Sequence, residues 1–291
     1  MPPLDGLVPG RYHLRAQKGA YDPVLDANRT CELWKTIYLG GPGCSPAAIA
    51  SPKVMLDGAY SVVTGGMTNA LASNGLIPLL EPYTAIGYEH IGGGGGEQTV
   101  ASVLSATGPL GIVDWVVLEL RDLSDPTYIW ATRSALLRSD GQIVDVDGTS
   151  PVRFEVNANL YYLAVRHRNH LGIMTAMPVD LSNGVVLVDL TAAGAAFGQQ
   201  PTRAIGGIQT LWCGDVQGNG RVSYTGTLND RDPILLAVGS TTPNAVIGGY
   251  LEQDVNLDGL VKYTGSGNDR DPILGTVGST TPNSVRLEQL P

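Results

Sequence analysis

Two stretches near the end of this chain carry oxygen-bearing side chains at the spacing a hard cation needs. Residues 215–243 read DVQGNGRVSYTGTLNDRDPILLAVGSTTP, and residues 254–282 read DVNLDGLVKYTGSGNDRDPILGTVGSTTP, the same pattern displaced by 39 positions without a gap. A calcium loop supplies side-chain oxygens from its first, third and fifth positions and a backbone carbonyl from its seventh. Glycine at the sixth allows the sharp turn, and an acid from the following helix completes the shell. In the second copy those places hold Asp254, Asn256, Asp258 and Leu260, the last through its carbonyl, with Gly259 at the turn and Val261 as the apolar plug behind it. The twelfth position is Gly265, so the late acid is displaced beyond the insertion YTGSGN to Asp269 or Asp271. Asp271, just before Pro-Ile-Leu, is the expected late ligand. Pro272 suits a first helical turn, and either aspartate can cap it.

The first copy offers Asp215, Gln217, Asn219 and Arg221 (again a carbonyl), with Asp230 and Asp232 downstream. Asn219 stands where the second copy has Asp258, and fewer carboxylates predict the weaker of two Ca²⁺ sites. The competing reading is an Asx-rich turn with helix capping and no metal. Two aligned copies favour the metal.

The elements that must hold these loops read as strands. Asp114–Asp122 alternates, with Val116, Leu118 and Leu120 on one face and Trp115, Val117, Glu119 and Arg121 on the other. Val152–Val156, Leu160–Arg168 and Gly184–Leu190 follow the same period of two, separated by turn signals at 124–126, 139–141, 146–148 and 182–184. One short helix is expected over Gly65–Ser73. The pattern predicts a mainly β chain: an antiparallel Greek-key sandwich of immunoglobulin or fibronectin type over 53–192, then a linker at 193–208. A duplicated calcium-loop unit with short helices follows over 209–291. Residues 1–52 read as an extension with strand candidates at Arg11–Ala16 and Leu33–Leu39. Gly40–Pro52 reads as a linker. The first of those strands looks like the closing strand of a missing domain, or one that completes a neighbour's sheet.

Composition narrows the functional classes. A net charge of −9 argues against a nucleic-acid partner. No run approaches the ~18 apolar residues of a membrane helix, so no membrane insertion is expected. The first residues lack the basic and apolar regions of a signal peptide. Cys31 and Cys44 suit either a short-loop disulfide in an oxidising compartment or two reduced, buried thiols. Gly92–Gly96 has no Lys-Ser/Thr after it and reads as a tightly turning or flexible loop, not a phosphate cradle. Asp145 and Asp147 sit in a turn and make a poor glycosidase pair. His167 and His170, three apart on one strand, should face opposite sides and serve structure. Trp115, Tyr162 and Arg166 would form a sugar or partner surface, or pack against a neighbouring element.

The duplicated loop and short helix resemble the calcium loops of dockerin modules, with a longer loop. YTGSGNDRDPIL, GSTTPN and the terminal QLP resemble the C-terminal region of secreted or surface proteins of Bacteroidota-type bacteria, often adhesin- or hemagglutinin-like. EPYTAIGYEHIGGGGGE (81–97), IVDWVVLELRD (112–122), ATRSALLRSDGQIVDVDG (131–148) and YYLAVRHRNHLGIMTA (161–176) extend that resemblance over roughly 53–291. It implies an exported chain, here a mature or partial product, and Ca²⁺ held at Asp254, Asn256, Asp258 and Asp271, with Asp215, Gln217, Asn219 and Asp232 in the other copy. The expectation is therefore a non-enzymatic extracellular or cell-surface structural or adhesive protein that self-associates, binds another surface protein, or forms fibres. The alternative is a carbohydrate-binding or dockerin-like docking module, with a glycan or a receptor protein as partner.

Overall fold

A computed structural model describes residues 10–22, 27–39 and 47–291. Cα packing divides the chain into residues 1–46 and 47–291. In the first unit, β1 (Gly10–Asp22) pairs antiparallel with β2 (Ala27–Leu39) in unbroken register from Gly10↔Leu39 to Asp22↔Ala27. The strand expected at Arg11–Ala16 is thus not an orphan but one arm of a hairpin, longer than its alternating core suggested. Cys44 lies outside the described residues, and with it the proposed Cys31–Cys44 bridge.

The second unit is mainly β, built from several small sheets. Its principal strands are β3 (Ala47–Lys53), β4 (Ile112–Arg121), β5 (Ile129–Arg138), β6 (Ile143–Val144), β7 (Val152–Asn157), β8 (Leu160–His167), β9 (His170–Met174) and β10 (Val186–Asp189). They form an antiparallel sheet in the order β9-β8-β4-β5-β6 and a three-stranded sheet in the order β10-β3-β7. β3 runs antiparallel to β7 but parallel to β10. It occupies part of the segment read as a Gly/Pro-rich linker, where Ala48 and Ala50 are small enough to be wholly buried. All ten residues of β4 are buried: strands pair along both of its edges, and residues of both its faces, Trp115 and Val117 as well as Val116 and Leu118, enter the main core. Its Glu119 and Arg121 are therefore paired with each other inside, at 2.7 Å, instead of solvated. Alternation does hold on β7, where Val152 and Phe154 face in and Arg153 and Glu155 face out. The helix expected over Gly65–Ser73 is a single turn, α1 (Ala70–Ser73); another, α2 (Ala101–Leu104), follows.

Residues 193–208, read as a linker, end in structure: β11 (Thr202–Ile205) and β12 (Ile208–Leu211) form a tight hairpin. The repeat then contributes β13 (Arg221–Ser223), α3 (Arg231–Ala237), β14 (Val246–Gly248), β15 (Leu260–Lys262), α4 (Arg270–Val277) and β16 (Val285–Leu287). Pairing crosses between the copies. β13 of the first loop pairs with β16, which follows the second helix, and β15 of the second loop pairs with β14, which follows the first. Thr225 bonds Asn283 and Thr264 bonds Asn244 in the same reciprocal way. A second apolar cluster unites Val216, Val222, Ile234, Val255, Val261 and Ile273 of the two copies with Leu171 of β9. Val261 is the expected plug, and Val222 is its counterpart.

Candidate metal centre

Both loops take the same shape because their first aspartate folds the backbone around itself. Asp254 accepts Asp258 N–H at 3.1 Å on Oδ1 and Gly259 N–H at 2.8 Å on Oδ2. Asp215 accepts Asn219 N–H at 3.0 Å and Gly220 N–H at 2.9 Å in the same way. The fourth position of each loop is left-handed: Gly218 in one and Leu257 in the other, with φ of 61° and 58°. A left-handed leucine is strained by about 1 kcal/mol or more; burial of its side chain in the main core offsets that.

The late carboxylate facing each loop is the first of the two candidates. Asp269 accepts Val255 N–H (2.8 Å) and Asn256 N–H (3.3 Å) on Oδ1 and Lys262 N–H (2.8 Å) on Oδ2. Asp230 makes the matching bonds to Val216, Gln217 and Ser223. Asp269 and Asp230 are both fully buried. Asp271 and Asp232 instead have side chains 58% and 62% exposed, turned to Asn268 and Asn229. The expected placing of Asp271 against the loop is therefore corrected: Asp269 stands there. The insertion delays the acid only to Asp269, and Asp271 lies on the outward face of α4. Capping is corrected too: Asn268 Oδ1 accepts Asp271 N–H at 2.9 Å, since both oxygens of Asp269 are engaged with the loop.

The middle ligands are less gathered. Asp258 Oδ2 accepts from Lys262 Nζ at 3.1 Å and Asn256 Oδ1 accepts Asp258 N–H at 2.9 Å. Leu260 and Arg221, expected to act through their carbonyls, have exposed side chains. Gln217 donates to Asn229 O at 3.1 Å, and Asn219 is exposed at the rim.

The buried aspartates are shifted by desolvation and by each other. Burial pushes Asp254 and Asp215 up to about 6 and Asp269 and Asp230 up to about 7. In each pair the charge of the first aspartate adds to the rise at the second. Their direct partners are backbone N–H groups, which leave part of the roughly four acceptor sites of each carboxylate free. Two desolvated carboxylates side by side, organised by the backbone, fit Ca²⁺. Calcium would be held by Asp254, Asp269 and Asp258 in one loop, and by Asp215 and Asp230 in the other.

Both loops stand on one hairpin tip. β8 and β9 are joined by Arg168-Asn169, and Asn169 O accepts Gly214 N–H and Asp215 N–H at 2.9 and 3.1 Å. Its Nδ2 donates to Asp254 O at 2.7 Å and Glu252 O at 2.9 Å. Because the chain turns there, His167 and His170 become cross-strand partners with Nδ1 atoms 3.1 Å apart, contrary to the opposite-face expectation. Their outer nitrogens are engaged by Asp114 (3.1 Å) and Gly58 N–H (3.1 Å), and burial lowers both pKa values, so both fit neutral structural roles. Trp115 is fully buried with Nε1 on Pro78 O, and Arg166 is paired with Glu119, so the surface expected from Trp115, Tyr162 and Arg166 is not formed. Cys213 is a free, buried thiol between Asp57 and Thr276.

A second cluster escaped the sequence reading. Glu81, His90 and Glu97 present donor atoms all within 4.8 Å of one another, the one such set of three His, Cys, Asp or Glu side chains found among the described residues. The available signal was a histidine between two glutamates in a glycine-rich stretch, at a spacing that matches no standard metal motif. No protein-family model, curated protein or solved structure matches the chain.

Proposed function

We propose that this chain is a non-enzymatic extracellular or cell-surface protein, structural or adhesive, whose duplicated tail is closed by two calcium ions. In its finer architecture we read an immunoglobulin-like Greek-key sandwich, modified by the parallel β3–β10 pair, carrying a dockerin-like repeat. The observation that supports the cation most directly is the matched burial of Asp215 with Asp230 and of Asp254 with Asp269. Without a cation these four groups oppose folding at neutral pH. With one, binding free energy becomes folding free energy. Self-association is the proposed use, because a two-stranded ribbon such as β1–β2 leaves an unpaired edge on each strand for a further strand to join.

Thermal unfolding of the full chain with and without calcium tests the cation. At about a hundred times its Kd, one bound ion adds roughly 2.7 kcal/mol, or about 5–10 °C in Tm for a unit of this size. Equal Tm values in calcium and in chelator would reject the reading. Electron microscopy of the full chain in calcium tests assembly, for which a monodisperse monomer is the adverse result.

A carbohydrate-binding reading keeps one specific support. Tyr128 and Trp130 are exposed and pack edge to face at 5.1 Å, with Trp130 Nε1 bonded to Asp122. Exposed aromatic rings next to a carboxylate suit a sugar, and loss of glycan-array signal in Trp130→Ala would favour that reading.

A further inference from the structure

The glycine-rich segment closes over β5 so tightly that side chains are excluded from it. A Cβ on Gly92 would lie 2.4 Å from Trp130 O, and one on Gly94 would lie 2.2 Å from Thr132 O. This contact brings His90 down between Glu81 and Glu97. The three side chains are 6%, 1% and 2% exposed. His90 Nε2 is buried without a hydrogen-bond partner and faces Glu81 Oε2 at 3.6 Å, too far for a hydrogen bond. Two donors each about 2.1 Å from a shared tetrahedral ion stand at roughly that separation.

The other ring nitrogen is held. His90 Nδ1 is 3.0 Å from Thr132 Oγ1, which also accepts Ile91 N–H at 2.9 Å and reaches Ile91 O at 3.2 Å. One assignment satisfies all three contacts: Nδ1–H donates to Thr132, and the threonine hydroxyl donates to Ile91 O. That leaves the Nε2 lone pair facing Glu81, with Glu97 in the same cluster. The glutamates are themselves fixed by backbone and hydroxyl donors. Glu81 accepts from the N–H groups of Tyr83, Thr84 and Gly96 and from the Thr84 and Ser134 hydroxyls, and Glu97 accepts from Gly95 N–H and Ser134 N–H. Charge is not balanced within the set. Arg133 approaches Glu97 at 3.6 Å but is shared with Asp145 at 3.3 Å, so one guanidinium serves two carboxylates and Glu81 adds a third negative charge. An imidazolium would neutralise half of the remaining charge of −2, whereas a divalent ion neutralises it.

We infer that Glu81, His90 and Glu97 bind a divalent transition ion of the zinc class, which clasps the glycine-rich segment to β5. One imidazole and two carboxylates favour such an ion over calcium, which takes oxygen ligands. The donor triangle, at most 4.8 Å on a side, must close to about 3.4–3.6 Å on a side, a contraction of no more than roughly 1.4 Å, to bring every donor within bonding distance. Thr132 is then the residue that fixes the imidazole tautomer, as metal-bound histidines require of their second nitrogen.

The test is zinc titration of the full chain by calorimetry in saturating calcium, which occupies the two loops. The expected result is one zinc equivalent. His90→Gln should lose at least about a hundredfold in affinity, and Thr132→Val about 10–100-fold, while both keep wild-type calcium binding. Should either variant fold poorly, imidazole ¹⁵N spectra of the wild type decide: zinc should shift the His90 Nε2 resonance and leave those of His167 and His170 in place. No zinc uptake by the wild type, equal uptake by His90→Gln, or an unmoved His90 Nε2 signal would each overturn the assignment.

Discussion

Asp269 and Asp271, two residues apart, end in opposite surroundings, and the difference is experimentally sharp. Asp269→Asn should remove most calcium affinity from the second loop, because it deletes one of two buried charges. Asp271→Asn should change affinity less than about threefold, since that carboxylate faces solvent and Asn268. Calorimetric titration of both variants checks this, and the reverse ranking would return the ligand role to Asp271. At this scale the sequence made Asp215, Asp254 and Val261 legible, because a loop's early positions have fixed spacing from its glycine. Which late carboxylate faces the loop was not legible. An insertion breaks that spacing, and only the fold says which of two carboxylates turns inward. Leu257 was equally hidden, since its left-handed backbone is tolerated for a reason supplied by a distant core.

Among the elements, the β8–β9 hairpin does the joining. Asn169→Ala would leave Asp254 O and Glu252 O without their buried donor, at a cost of about 1–3 kcal/mol. The expected result is a Tm lower by several degrees in calcium and in chelator alike. A change under 1 °C would mean that water or a neighbour replaces the amide. Alternating hydrophobicity located β4, β7 and β8, with Leu160–Arg168 right to within a residue, yet it carried the same strand on to His170. The turn at Arg168-Asn169 has no glycine or proline to mark it, so His167 and His170 were assigned to opposite faces when they are in fact paired across the hairpin. β5 and β3 were missed for a related reason. Strands buried on most sides lose their polar alternation, and Ala-rich ATRSALL and AAIAS read as neither strand nor helix.

For the whole molecule, calcium and protons compete. Burial pushes Asp215 and Asp254 up to about 6 and Asp230 and Asp269 up to about 7, against an unperturbed 3.8. Between pH 4 and 7 the folded state therefore holds protons that the unfolded chain has released, and these groups lower stability as pH rises. Buried His167 and His170, with lowered pKa values, act in the opposite sense. The informative quantity is thus the calcium-induced gain in Tm at each pH. It should be small at pH 5, where the loops are protonated, and should grow up to pH 7.5. A gain independent of pH would mean that the ion does not sit on these carboxylates.

The crossed pairing of β13 with β16 and of β15 with β14 has a thermodynamic corollary. Each loop's short strand is completed by the tail of the other repeat, so an ion that orders one loop also orders part of the scaffold its twin requires. The second ion then meets a lower ordering cost, which is positive cooperativity between two sites that share no ligand. Linkage makes this reciprocal: Asp269→Asn, which alters only the second loop, should also weaken the first and reduce the Hill coefficient toward one. Two independent loops would give a binding curve that is the simple sum of its halves.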